Sequence, residues 1–202
     1  MSALIAGIPS WVIPMIEVMV SILALTIILE RGWMLLRRIE MIDTDEERKL
    51  LELIRDKSHE EAESFCRMKN HPAYKVALAM IQARESKIDI SNIAEEENMR
   101  QMSFLEKYLP TLGTISTIAP LLGLLGTVTG MIKAFKAYET TMIKSGQLFG
   151  GIDEALITTA IGLIIAIPAL IMYNYYVARV NMFAQETEIL IQMVTQELKK
   201  KK

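Results

Sequence analysis

The chain is poor in the residues that most often carry protein chemistry: its 202 residues include a single cysteine and two histidines. Cys66, standing alone, excludes an internal disulfide, and its setting in a charged stretch suggests a reducing compartment. His59 and His71, with no second cysteine, could complete a zinc site only with an unusual supplement of carboxylates, so no metal is expected. No cofactor is expected either. A nucleophile constellation and a phosphate-cradling glycine loop are also missing, which argues against an enzyme. The net charge of −2 carries no footprint for nucleic acid.

Charge is also absent from long stretches, and these give the architecture. Sixteen uncharged residues precede Glu17, and the apolar run from about Pro9 to Leu29 closes on Glu30, Arg31, Arg37 and Arg38. It lacks a basic leader and a clear cleavage site, so it reads as a retained first span. Tyr108 to Ile132 and Ala155 to Ala178 hold no charged residue. Three spans in so short a chain define an integral membrane protein, all-α, with long helical extensions on one side. The basic residues are unevenly placed: none before the first span, fourteen from Arg31 to Lys107, three between the later spans and five from Arg179 onward. Lys and Arg accumulate on the cytoplasmic side, so the N-terminus is expected outside and the C-terminus inside. The expected division is residues 1–38 for the first span, 39–107 for a cytoplasmic helical region and 108–135 for the second span. An outer loop follows at 136–151, the third span at 152–178 and a cytoplasmic helix and tail at 179–202.

The cytoplasmic region reads as helical because Leu50, Leu51, Leu53 and Ile54 form an apolar stripe among charges. Ser58 with Glu61 spells a capping box, Pro72 after His71 suits a first helical turn, and Ser91 opens a further run. That run is expected to continue into the second span, bent near Pro110. A matching extension after the third span carries Met182, Phe183, Ile189, Leu190 and Met193. The charges read as a solvated helical face. The closing lysines read as a frayed end, with attraction to anionic lipid as the alternative.

The second and third spans carry the functional signal. At about 100° per residue, Ser116, Pro120, Gly123, Thr127, Gly130 and Ala134 share one sector, and Ala155, Thr159, Gly162, Ala166 and Ala169 share another. Small faces let membrane helices approach closely, and Gly126 with Gly130 forms a GxxxG pair. Packing alone is one reading of both stripes. Depth favours another: Thr127 lies six residues before Lys133 and Thr159 five after Glu154, so both sit roughly 8 to 9 Å below the outer charged boundary. A threonine hydroxyl orients water but cannot hold a proton near neutral pH. With no acid or histidine in either span, the titrating carboxylate of any ion path should come from another chain. Glu154 stands at the outer mouth, either to attract cations or as a charge favoured by the helix dipole. Glu17, inside the first span, reads as structural or interfacial.

The runs APLLGLLGTVTGMIKAF (Ala119 to Phe135), EALITTAIGLIIAIPALIMYN (Glu154 to Asn174) and ILERGWMLLRR (Ile28 to Arg38) resemble the MotA/TolQ/ExbB proton-channel family, most closely its ExbB-like members. The resemblance implies a subunit of the bacterial inner membrane, typically pentameric, surrounding an ExbD-like or TolR-like single-span partner that brings a membrane aspartate. Its channel positions fall on Thr127 and Thr159, with Glu154 as the outer acid and Thr158 and Ser116 as further pore-lining candidates. Gly123, Gly126, Gly130, Gly162 and Ala166 are the packing residues. It implies work delivered through a TonB-like protein to outer-membrane transporters. A TolQ-like role in envelope maintenance and a non-conducting membrane scaffold are the alternatives.

Overall fold

The computed structural model describes residues 9, 11–38, 42–56, 58–69, 71–85, 89–141 and 146–200. Among these the chain is helical without strands: α1 (Val12–Arg38), α2 (Thr44–Arg55), α3 (His59–Met68), α4 (Pro72–Gln82), α5 (Ile90–Glu106), α6 (Leu109–Thr141) and α7 (Gly146–Lys199). A single 3-10 turn, Ala83–Glu85, follows α4. Three segments contain a stretch long and apolar enough to cross a membrane: Val12–Leu35 in α1, Ile90–Lys136, which takes in α5 and most of α6, and Ala155–Lys199 in α7. The expected outer loop at 136–151 is helical over 136–141 and 146–151, and residues 142–145 lie outside the described set.

The chain forms two compact units. The first holds residues 1–30 and 108–175, and so the apolar parts of α1, α6 and α7. Small residues fill much of the contact between α6 and α7 while many large ones lie outside, although Leu112, Ile115 and Ile165 are also buried. Ala119, Ala155, Ala166 and Ala169 are buried together with Gly123, Gly126 and Gly162, whereas Leu121, Leu124, Leu125, Leu163, Ile164 and Ile167 are exposed. That arrangement suits a bundle solvated by lipid, where close backbone approach rather than hydrophobic burial joins helices.

The second unit holds residues 31–107 and 176–202. The α7 segment here buries Tyr176, Val180, Phe183, Thr187, Leu190 and Val194, spaced alternately four and three residues apart. This is the 3.5-residue repeat of a seam between helices. Leu50, Ile54, Cys66, Tyr74 and Met80 are buried in the same unit. Aromatic contacts join its helices, with the Phe65 and Tyr74 rings edge-on at 5.8 Å and the His71 and Phe183 rings 5.3 Å apart. Of the C-terminal extension's expected apolar residues, Phe183 and Leu190 are inside, while Met182 and Ile189 are exposed.

Three local expectations change. The run beginning near Ser91 does not bend into the second span but stops: α5 ends at Glu106, and Tyr108 takes φ 67 before α6 starts. Pro110 lies in the first turn of α6, where its missing N–H costs no hydrogen bond. The N-cap of α5 is Asp89, whose carboxylate accepts from the Ser91 N–H at 3.1 Å. Ser58 holds the N-cap position of α3 but makes no side-chain cap bond. The reason is backbone shape: Asp43, His71 and Asp89 cap with ψ of 127, 133 and 124°, whereas Ser58 has ψ 58°.

Candidate functional site: the α6–α7 hairpin

The contacts of α6 and α7 descend in opposite order. A Cβ placed on Gly113 would lie 3.0 Å from the Tyr173 ring, one on Gly162 would lie 2.6 Å from the Ala119 carbonyl, and one on Gly123 would lie 2.8 Å from the Thr159 Cα. Gly126 faces Thr158. The pairs 113/173, 119/162, 123/159 and 126/158 describe an antiparallel hairpin. Thr127 and Thr159 are therefore within about one helical turn of each other in height.

This closeness requires glycine. At Gly123 and Gly162 the added carbon would meet backbone, which cannot rotate away. At Gly126 it would meet the Thr158 side chain, with the Thr158 Cβ at 2.7 Å. Gly130 is half-buried in α6 and Ala166 is buried in α7.

The hydroxyls of the hairpin donate to carbonyls. Ser116 donates to the Gly113 carbonyl at 2.7 Å, Thr127 to that of Leu124 at 2.8 Å and Thr158 to that of Ala155 at 2.7 Å. Thr159 differs, since its hydroxyl crosses to the Gly123 carbonyl of the other helix at 3.0 Å. Thr158 reaches the same oxygen only at 3.5 Å. Thr158 and Ser116 are buried, while Thr127 and Thr159 are half-buried. With its hydrogen committed, each hydroxyl keeps its lone pairs to accept from water or from a protonated acid. Pro120, inside α6, offers no N–H to the Ser116 carbonyl one turn below, which leaves that oxygen without its usual helical donor.

Glu154 lies in α7, with its side chain outside the described residues. The helix starts at Gly146, eight residues earlier, so Glu154 is beyond the first turn where the helix dipole acts.

Two charged residues of α1 are buried, of which Glu17 alone stood out in the sequence. Arg31, read there only as a marker of the cytoplasmic boundary, is 1% exposed and donates through Nη1 to the Phe104 carbonyl at 3.2 Å. Glu17 is equally buried. Both fall on the stripe Ile13, Glu17, Ala24, Ile27, Arg31, Leu35, whose spacing of three, four or seven residues marks the inner face of α1. That periodicity was the available signal. Among the described residues no group of His, Cys, Asp and Glu gathers as a metal would require.

The family described as the MotA/TolQ/ExbB proton channel family matches residues 66–189, which include both hairpin helices through their apolar parts. The Tol-Pal system protein TolQ of Haemophilus influenzae is 39% identical over 88 residues, 43% of this chain and 39% of that protein. TolQ of Pseudomonas aeruginosa is 39% identical over 101 residues, 50% of this chain and 40% of its own length. The biopolymer transport protein ExbB of Aquifex aeolicus is 38% identical over 90 residues, 42% of this chain and 61% of that protein. The chain thus matches about two fifths of each TolQ relative, and the relatives carry both names. With more than half of its length matched and three apolar helices to span a bilayer, the chain belongs to the MotA/TolQ/ExbB proton channel family.

Proposed function

We propose that the chain is the channel-forming stator of a complex driven by the proton-motive force, of the ExbB–ExbD type, which powers TonB-dependent uptake across the outer membrane. The observation that carries this reading is the hairpin itself. Two charge-free stretches, Leu109 to Ile132 of α6 and Ala155 to Ala178 of α7, present hydroxyls within about one helical turn of each other in height, with hydrogens committed and lone pairs free, and neither stretch carries a carboxylate or histidine able to hold a proton. Such a surface orients water but stores no proton, and by resemblance to the family a single-span partner supplies a membrane aspartate beside it. The hairpin faces of several copies, five by resemblance to the family, surround that partner in the bacterial inner membrane. Thr127, Thr159, Glu154, Thr158 and Ser116 line the path, and Gly123, Gly126, Gly130, Gly162 and Ala166 hold the helices together. The N-terminus is periplasmic and the C-terminus cytoplasmic, as the distribution of basic residues favours.

The TolQ names among the relatives favour a second reading, in which the same stator serves envelope maintenance. The two readings share one test. Proton flux is measured in vesicles holding the chain with its single-span partner, for the native chain and for Thr127→Val and Thr159→Val. Flux drops sharply in either variant while the complex still co-purifies, whereas undiminished flux in the double variant overturns both readings in favour of a packing scaffold. Counting subunits in the purified complex checks the stoichiometry. Loss of nutrient uptake against loss of envelope integrity, on deleting the gene, separates the two branches.

A further inference from the structure

Glu17 is the only charged residue before Glu30, thirteen positions later, which at about 1.5 Å per residue is about 20 Å along α1. It is 1% exposed and lies on the inner stripe with Ile13, Ala24 and Ile27. Neither of its carboxyl oxygens has a hydrogen-bond partner. Within the apolar stretches of the other helices of its unit there is no charge: α6 has none from Leu109 to Ile132, with Lys133 and Lys136 following, and α7 has none from Ala155 to Tyr175, with Asp153 and Glu154 preceding; the titratable groups inside these stretches are Tyr173 and Tyr175. On α1 itself the next charges are Glu30 and Arg31.

An ionised carboxylate in that position would be desolvated without any partner to offset the loss, whereas the proton-bearing acid has no such charge to bury. Even the neutral acid is a poor packing residue beside the valines, leucines and isoleucines of this helix, so packing does not account for it. We propose that Glu17 is a proton-binding site inside the membrane-spanning unit, which takes up a proton to form the buried acid and releases it when the helices around it part. Its ligand is the proton alone: on uptake one O–H bond forms on the carboxyl as one breaks on hydronium, and on release the proton returns to water. It differs from the hairpin hydroxyls, which touch a proton path without storing a proton. It also lies within one protomer, so it needs no partner acid.

Infrared spectroscopy of the full chain in lipid tests this directly, because a protonated carboxylic acid has a carbonyl band distinct from those of the carboxylate. The expected result is an acid band at neutral pH that shifts in deuterated water, converts to carboxylate bands as the pH is raised, and is lost entirely in Glu17→Gln. Glu17→Asp should retain the band at a moved frequency, which keeps the assignment open to test if Glu17→Gln fails to insert. The proposal is overturned if no acid band differs between the native chain and Glu17→Gln. A band that neither exchanges deuterium nor titrates also overturns it, because the proton would then be a fixed part of the structure. Loss of the band on adding sodium at constant pH would identify a metal-cation site instead. The measurement uses the chain without its partner, so its failure leaves the stator reading untouched.

Discussion

At the residue scale, the hairpin separates two kinds of glycine by what lies opposite. Gly126 confronts a side chain, so Gly126→Ala should destabilise the chain by about 1–3 kcal/mol, the usual cost of overpacking. Adding Thr158→Ala should recover part of that loss, with a coupling of about 0.5–3 kcal/mol in a double-mutant cycle read by unfolding in detergent. Gly123→Ala meets the Thr159 Cα and the Thr158 carbonyl, so Thr158→Ala should not rescue it. Thr159→Val removes the cross-helix bond, and its effect on stability should be small, about 0.6 kcal/mol by the average for such bonds in membranes. Its effect on flux should be far larger. Cys66 gives a pH signature. Burial, aided by the Glu63 carboxylate, pushes its thiol up from 9.0 to about 12. The folded chain then holds this proton more tightly than the unfolded chain, so stability is complete below pH 9.0 and falls as pH rises toward about 12. Cys66→Ala should flatten that decline. Part of it should remain, because burial and the neighbouring Glu46 also raise the Tyr74 phenol.

At the element scale, the cap backbones predict which helix starts matter. Asp89→Ala should cost about 1 kcal/mol by loss of the bond to the Ser91 N–H, while Ser58→Ala should change stability by no more than a few tenths. Thermal unfolding of the full chain reads both. At the junction of α5 and α6, Tyr108 with φ 67 lies where a β-branched residue is strained, so Tyr108→Val should cost more than Tyr108→Asn. The sequence shows why these details were partly hidden. The S-x-x-E pattern names a cap but says nothing of the ψ that brings the oxygen to the N–H. Pro110 announces that a helix is disturbed, but a proline serves equally as a kink or in a first turn, and the choice lay in the backbone of Tyr108. His71-Pro72 was legible because the fixed φ of Pro72 leaves less freedom, and the His71 Nδ1 does accept from the Ala73 N–H at 3.3 Å.

At the scale of the whole molecule, the three spans were legible from hydropathy alone, because lipid tolerates only closed hydrogen-bonding patterns and so forces long uncharged helices. The hairpin contact was legible in kind, since a stripe of Gly, Ala and Thr on each helix leaves few alternatives. The stripe residues were legible but their partners were not: nothing in the order of residues says that Thr159 rather than Thr158 crosses to the Gly123 carbonyl. Glu17 was visible as an anomaly, and its burial without a partner needed the structure. Orientation gives a prediction at this scale. On a Cys66→Ser background, a cysteine replacing Ser145 should react with an impermeant reagent added outside whole cells, and one replacing Lys202 only after the membrane is opened. The opposite pattern would reverse the topology. One consequence of the hairpin reaches beyond position and packing. Ser116, Thr127, Thr158 and Thr159 all point their hydrogens at carbonyls. Water that touches these oxygens can only donate to them, and an anion, which needs a donor, is offered none by these hydroxyls. If these hydroxyls line the path as proposed, the path would discriminate by the sign of charge while its wall carries no charge itself.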